Sequence, residues 1–276
     1  MKTSTRRARA LGAPLLLALP ALYGDESVLA RAGELLPAHR RRERLSLLLQ
    51  RERITHTLMV PAIAHKGVYR YRCCVRGKEA HSSLTPQSVN AIEMAARVVG
   101  RLRDMGEGFE RSEPRYEGFD VPFTTTSVGQ FHGGIADNVV PRDAEFRYEF
   151  RNLPTADAQA LQAEVLAYAR SLEPAMKQVS PEAGFRFETI CEVPAFLAEP
   201  GDLATRMARR LSGETATTLV GFGTEAGLFQ RSGIPTVVCG PGSIQQAHQP
   251  DEYVELSQLA RCESFMQGLA ASRTLD

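Results

Sequence analysis

The sequence predicts a mixed α/β protein, and chain length, composition and hydrophobic periodicity each contribute to that prediction. The chain has 276 residues, which is enough for one or two domains. Hydrophobic residues make up 43% and charged residues 24%, values that exclude a collagen-like, coiled-coil or mainly disordered chain. From Val68 onward, stretches that alternate apolar and polar residues are followed by stretches of helical period.

The first part of the chain differs in character from the rest. Residues 1–53 carry a net charge of +6 and the other 223 residues one of −5, which together give the total of +1. Nucleic-acid binding is typical of domains that are basic over a whole face, so the acidic body argues against that function. The arginine-rich stretch 31–53 predicts a solvated helix.

Targeting signals are weak. Residues 1–22 have the outline of a signal peptide, with basic residues before the apolar run Leu11–Leu22, but no clear cleavage site follows. A membrane-spanning helix needs about 20 apolar residues, so none is expected. The five cysteines form no CxxC pair, which favours a reducing compartment. We therefore expect a cytoplasmic protein, with export through residues 1–22 as the alternative.

The middle of the chain has one regular order of elements. Strand patterns alternate with two helical patterns, and Gly77 and Gly106 mark the ends of the first strand and the first helix. The predicted elements are strand 68–76, a helix from Pro86 through Leu102, strands 122–131 and 144–151, helix 156–172 and strand 185–191. This order is that of the ferredoxin-like fold, over residues 68–192.

The last segment predicts part of a second α/β unit. Helices are expected at 202–211, 225–232 and 256–271, and strands at 218–222 and 235–239. Two strands are too few for an independent sheet, so the remaining strands should lie upstream or be absent.

Several polar residues of these segments have two interpretations. His248 follows a Gly-Pro-Gly turn after a buried strand, where ligands gather in α/β folds, but it also fits a surface loop. His81 is either a helix cap or a functional residue, and Arg151 either holds a carboxylate in its fork or forms a salt bridge. Asn138 either donates a hydrogen bond or makes an Asx turn. The loop Gly221–Gly227 opens a helix, as anion-binding loops do.

Three phrases, taken in order, identify a resemblance. They are AHKGVYRYRCCVRGKEAHSSLTPQSVNAIE (64–93), GGIADNVVPRDAEFRYEFRNLP (133–154) and GTEAGLFQRSGIPTVVCGPGSIQQAHQPDEYV (223–254). The chain resembles the zinc aminoacylase/desuccinylase-type metallopeptidase family. The resemblance implies zinc-dependent removal of the acetyl group from N-acetyl-L-ornithine, with two zinc ions as cofactors.

The resemblance also implies site residues. His81 is similar to a lid histidine that reaches the active site of the partner chain and stabilises the oxyanion. Asn138, Arg151 and Thr224 are similar to substrate-binding residues, and His248 to the C-terminal zinc ligand.

The implied domains are a ferredoxin-like dimerisation lid at 68–192 and the C-terminal part of a zinc-peptidase-like α/β catalytic domain at 193–276. Residues 58–67 would be a remnant of the same catalytic domain, and residues 1–57 a divergent or non-native leader. The expected partners are a small N-acyl amino acid and a second copy of the chain, bound through the lid, with no nucleic acid and no membrane span.

The first 57 residues depart from the family. No H-x-D motif occurs upstream of the lid, and where the family has Glu-Pro-Thr the chain has Thr55 at the position of the acidic zinc ligand. Residues 15–27 also resemble the family segment that carries the general base. On that match Glu26 would be the general base, and Ser27 would stand where the family has a zinc ligand. His56 could add a second imidazole. About three protein ligands hold a catalytic zinc, and only His248 matches clearly.

Two functions therefore remain open. The first is an active deacetylase, and the second is a non-catalytic dimerising or binding module derived from the family. A related hypothesis is that the chain is N-terminally truncated or frame-disrupted. Zinc content separates the two functions, with about two ions per chain expected for the enzyme.

Overall fold

The computed structural model describes residues 57–246 and 253–272, together with the backbone of 46–48. It divides into two compact units. The central unit comprises His65–Ala195 together with Gly221–Thr224, and the terminal unit comprises the described residues up to Ala64, Phe196–Val220 and those from Glu225 onward.

The described residues form strands, α-helices and short 3₁₀ helices. The strands are β1 (Ser46–Leu48), β2 (Ala62–His65), β3 (Val68–Arg76), β4 (Ala80–His81), β5 (Thr125–Gly133), β6 (Val139–Val140), β7 (Asp143–Arg151), β8 (Gly184–Val193), β9 (Phe196–Leu197), β10 (Thr218–Val220) and β11 (Thr236–Val238). The α-helices are α1 (Ala91–Ser112), α2 (Ala158–Val179), α3 (Leu203–Ser212), α4 (Ala226–Arg231) and α5 (Leu256–Ser272). Short 3₁₀ helices span Ser82–Gln87 and Ile244–Gln246.

The central unit contains the ferredoxin-like sheet that the sequence predicts. Its four strands have the order β5-β7-β3-β8, and each neighbouring pair is antiparallel. Alternate residues of β3 and β7 point into a core with the two long helices, where Tyr71, Phe146 and Phe150 are fully buried. The predicted fold class, an α/β chain with an α+β dimerisation unit, is confirmed.

Helix α1 differs at both ends from its prediction. It begins after Asn90, whose Oδ1 accepts hydrogen bonds from the backbone N–H groups of Ile92 and Glu93, so the cap lies downstream of Pro86. Pro86 belongs instead to the preceding 3₁₀ helix. The helix also runs through Gly106, so this glycine does not end it as the sequence predicts. A side chain at position 106 would crowd the Thr126 hydroxyl of β5, so the glycine instead allows close packing.

Helix α2 is also longer than predicted. Asp157 caps its start by accepting hydrogen bonds from two backbone N–H groups, and the helix continues through Pro174 to Val179. Met176 in this last part is buried in the same core, so packing outweighs the loss of one backbone hydrogen bond at the proline.

The terminal unit has more strands than the two that the sequence predicts. Its sheet has the order β1-β11-β2-β10, with β9 also paired to β2. Strand β1 pairs in parallel with β11, although the sequence predicts a solvated helix over residues 31–53. The alternation of elements favoured a parallel sheet, yet β2 pairs antiparallel with β11. Short apolar runs do not distinguish strand from helix by period alone, and sheet pairing decides between them.

Two observations concern the cysteines and the possibility of a membrane-spanning helix. All five cysteines are free thiols, and burial raises the pKa of Cys239 to about 12. Within the described residues, no helix has both the length and the apolar character needed to cross a membrane.

Ion pairs cover the face of the central sheet opposite the helices. Arg72 donates from Nε to Glu145 at 3.1 Å and from Nη1 to Glu188 at 3.3 Å, so it links three strands. Arg76 pairs with Asp143 at 2.8 Å. Hydrogen bonds from Arg72 hold the pKa of Glu145 below its ordinary value of 4.5, and those from Arg76 hold the pKa of Asp143 below 3.8.

These pairs predict an acid-sensitive fold. A carboxyl whose pKa is lower in the folded chain stabilises the fold above its unfolded pKa, and the contribution disappears as pH falls through the folded pKa. We therefore expect Arg72→Met to lower the urea midpoint at pH 7, and we expect this effect to become progressively smaller as pH falls below the ordinary glutamate pKa of 4.5. Urea unfolding of both chains at several pH values measures this, and a penalty that is the same at every pH would contradict it.

Candidate functional site

His81 and Asn138 are neighbours at one end of the central unit. Strand β4 pairs antiparallel with β6, which places His81 opposite Val139, and the Ser82 N–H donates to the Asn138 carbonyl at 3.0 Å. Both His81 and Asn138 are exposed. The structure therefore brings together two of the residues that the resemblance singled out.

The His81 ring has a defined orientation. Its Nδ1 caps the following 3₁₀ helix by accepting from the Ser83 backbone N–H at 3.3 Å, with the Ser83 hydroxyl at 2.9 Å. Because Nδ1 accepts, the proton of the neutral ring is on Nε2. The capping interpretation is thus correct for one nitrogen, and the other presents an N–H donor on an exposed ring.

The loop that carries His81 is held close to the start of α1. Lys78 and Val89 exchange two backbone hydrogen bonds, and the Gly77 N–H donates to the Arg142 carbonyl. A Cβ at position 77 would overlap the Val89 carbonyl oxygen. Only glycine fits this close approach of two backbone segments.

Arg151 lies at the opposite end of the sheet, as the last residue of β7. Its Nε donates to Glu149 Oε1 at 2.9 Å and its Nη2 to Glu149 Oε2 at 3.3 Å, while Arg70 donates to the same carboxylate at 2.9 Å. Burial raises the pKa of Glu149, but the hydrogen bonds from the two arginines outweigh it and lower the pKa overall. The Arg151 fork is occupied by a protein carboxylate in this structure, which is the salt-bridge interpretation.

Thr224 belongs to a short loop that packs on the central unit. The threonine is buried, and its backbone N–H donates to His65 Nε2 at 3.3 Å. Helix α4 begins at Ala226 and has only six residues. Since the Thr224 N–H bonds to an imidazole, it is not free to bind an anion in the way that the glycine-rich loop suggested.

Sequence reasoning missed two buried residues beside this loop. His65 is 0% exposed and Lys66 is 3% exposed. The Lys66 ammonium donates to the Phe123 carbonyl and lies 5.9 Å from the centre of the Phe119 ring. Burial lowers the pKa of Lys66, against the attraction of Glu113, which raises it. The sequence does contain a signal for these two residues, because a pair of adjacent ionisable side chains interrupts an otherwise apolar run.

The predicted site residues form two groups. Arg151 lies beside the beginning of β3, where Thr224 also packs, whereas His81 and Asn138 follow its far end. Strand β3 spans Val68–Arg76, which is about 26 Å at about 3.3 Å per residue. In one chain, the two groups are therefore at opposite ends of the sheet.

The remaining predicted site residues, Glu26 and His248, lie outside the described residues. Among the residues that the structure does describe, no three His, Cys, Asp or Glu side chains are grouped so that they could hold a metal ion. The described part of the chain thus does not by itself fit a catalytic zinc, which needs about three protein ligands.

Comparison with known families defines the class of protein. Residues 63–177 match the M20 family model described as a peptidase dimerisation domain. Aminopeptidase PepT from Bacillus cereus has a similar fold, with a TM-score of 0.59 and 21% identity over 91% of this chain and 62% of that one. The chain is thus an α/β protein in which residues 63–177 form a domain of the peptidase dimerisation type.

Two sequence relatives match a longer part of the chain than the domain model does. An acetylornithine deacetylase of Myxococcus xanthus is 34% identical over 267 residues, which are 94% of this chain and 65% of the relative. One of Klebsiella pneumoniae is 34% identical over 202 residues, which are 72% of this chain and 50% of the relative. The chain thus contains a dimerisation domain of the M20 peptidase type and is similar to these deacetylases over most of its own length, and it spans about half to two thirds of the length of these relatives.

Proposed function

We propose that the chain is an amidohydrolase that removes the acetyl group from N-acetyl-L-ornithine, with an active site assembled from two copies. The observation that carries the proposal is the placement of His81 and Asn138 at one end of the central sheet and of Arg151 and Thr224 at the other. Two groups at opposite ends of β3, which is about 26 Å long, cannot contact one small substrate within one chain. A dimer related by a two-fold axis can bring one end of each copy to the other.

We infer a role for each of these residues. The Nε2–H of His81 donates to the carbonyl oxygen that becomes negative when water attacks the amide. The Arg151 guanidinium binds the substrate carboxylate, while the Glu149 carboxylate stays hydrogen-bonded to Arg70. Asn138 and the Thr224 segment complete the pocket. The resemblance implies zinc as cofactor, with His248 as a ligand and Glu26 as general base.

The direct test is hydrolysis of N-acetyl-L-ornithine by the purified chain with added zinc or cobalt. We expect turnover that disappears in the His248→Ala variant, because the resemblance makes His248 a zinc ligand and a catalytic zinc would need about three protein ligands. The absence of turnover, or equal turnover in both chains, would overturn the proposed activity.

A second candidate is a non-catalytic dimerising module. It is favoured by the match of residues 63–177 to a peptidase dimerisation domain, because that range includes neither Glu26 nor His248. Zinc analysis of the purified chain distinguishes the candidates, with about two ions per chain expected for the enzyme and none for the module.

The remaining proposals concern organisation and place. We infer a cytoplasmic homodimer that pairs through a lid at 68–192, with residues 58–67 and 193–276 contributing to the catalytic domain. Cysteine usage supports the reducing compartment. Sedimentation and cell fractionation test the dimer and the location.

A further inference from the structure

Three consecutive residues at the start of the central unit each hold a different segment of the chain. His65 binds the Thr224 backbone, the Lys66 ammonium binds the Phe123 carbonyl, and the Gly67 N–H donates to the Asn152 carbonyl at 2.9 Å. Asn152 directly follows Arg151. The end of the sheet that carries Arg151 and the loop that carries Thr224 are thus attached to the same three residues.

The contacts of His65 define its tautomer. Its Nδ1 lies 2.8 Å from the Lys66 carbonyl oxygen, which can only accept, so Nδ1 carries the proton. Its Nε2 lies 3.3 Å from the Thr224 backbone nitrogen, which can only donate, so Nε2 is the acceptor. The ring is fully buried, so no water replaces either backbone partner from bulk solvent. Only this neutral tautomer satisfies both partners.

The loop packs closely against the start of β3. A Cβ at Gly223 would overlap the Val68 side chain and would contact the Lys66 carbonyl oxygen at 3.5 Å. Thr224 itself is 3% exposed. The loop therefore lies directly against the start of β3. The His65 imidazole orients the backbone N–H of Thr224, the next residue of the loop, by accepting its hydrogen bond.

We propose that His65 is a positioning residue, which holds the Thr224 segment beside the strand end that carries Arg151. The importance of that segment for substrate rests on the proposed function, but the hydrogen bond and its effect on the loop do not. His65 does not touch the substrate. Its nitrogen atoms keep a binding residue in place.

Two substitutions separate the two contacts of the ring. The amide oxygen of His65→Gln can reach the position of Nε2 and accept from Thr224, whereas the shorter side chain of His65→Asn reaches only the position of Nδ1. We expect the Thr224 amide to exchange with solvent about tenfold faster in the Asn variant than in the Gln variant, since one hydrogen bond contributes about 0.5–1.5 kcal/mol. Amides of β3 serve as the internal control. Equal exchange at Thr224 in both variants would overturn the proposal.

Kinetics adds a measurement that a purely structural role would not change. For the Asn variant we expect KM for N-acetyl-L-ornithine to rise about fivefold or more, with recovery in the Gln variant. A lower unfolding midpoint with unchanged KM would show that His65 only supports the fold. If neither chain hydrolyses the substrate, the proposed function fails, while the exchange experiment still tests the positioning role.

A measurement on the unsubstituted chain tests the same hydrogen bond without any variant, so it does not depend on whether the variants fold. The ¹⁵N chemical shifts of the two ring nitrogens distinguish the tautomers of histidine. We expect His65 to show a protonated Nδ1 and an unprotonated Nε2 at neutral pH. The opposite tautomer, or a doubly protonated ring, would be incompatible with acceptance from Thr224 and would overturn the proposal.

Discussion

The variants His81→Ala and Arg151→Ala are each expected to lose most hydrolysis of N-acetyl-L-ornithine, and a mixture of the two should regain part of it. Removal of an oxyanion donor costs about 10²–10³ in kcat, which is the loss we expect for His81→Ala. In a mixed dimer, one of the two composite sites receives His81 from one chain and Arg151 from the other, both unchanged. With random exchange of subunits in a two-fold dimer, about one quarter of the original activity returns.

The matched control is His132→Ala. His132 is exposed at the same end of the sheet as His81, on β5 opposite Glu145, and the proposal assigns it no role. The His132→Ala chain should hydrolyse N-acetyl-L-ornithine as fast as the unsubstituted chain. A mixture of His81→Ala and Arg151→Ala that is no more active than the average of its components would show that both residues serve a site within one chain.

The largest effect on stability is expected for Gly77→Ala. The added methyl group overlaps the Val89 carbonyl oxygen, and neither side of this contact is a flexible side chain that could move away. Forced backbone shifts of this kind cost about 1–3 kcal/mol, and we expect the upper end of that range. Because the two hydrogen bonds between Lys78 and Val89 hold the loop before His81, hydrolysis should fall together with stability.

Gly108→Ala is the control for Gly77→Ala. Gly108 lies in α1 with open space where its Cβ would be, so alanine should raise the free energy of unfolding by about 0.5–1 kcal/mol. Urea unfolding of the three chains measures both effects. A Gly77→Ala chain as stable as the original would contradict the close approach of the two backbone segments.

Local patterns were sufficient for the elements of the central unit. The alternation in VYRYRCCVR predicts the bounds of β3, and AEFRYEFR predicts β7 to within one residue. Each strand has one face in the core, so period-two patterning is a direct consequence of burial. Helix ends were less predictable. Asn90 caps α1 downstream of the predicted start at Pro86, Asp157 caps α2 near its predicted start, and Gly106 reflects packing against β5 rather than a helix end.

The family relationship also followed from the sequence, because motifs such as GKEAHSS and FRNLP preserve residue types whether or not their contacts are known. The relatives at 34% identity confirm it. The proposed roles of His81, Asn138, Arg151 and Thr224 remain predictions. The sequence placed these residues in their segments, but it did not indicate which of them lie at the same end of the sheet.

Those pairings were decided by the tertiary structure. The contact of Arg70 with the same Glu149 that binds Arg151 depends on the pairing of β3 with β7, and the contact of the His81 segment with Asn138 depends on the pairing of β4 with β6. His65 and Thr224 are 159 positions apart, and the buried bond between them has no local signature. The periodicity of a segment reports only which of its faces is buried. Which distant donor meets which acceptor is determined by strand order and register, and those are properties of the whole folded chain.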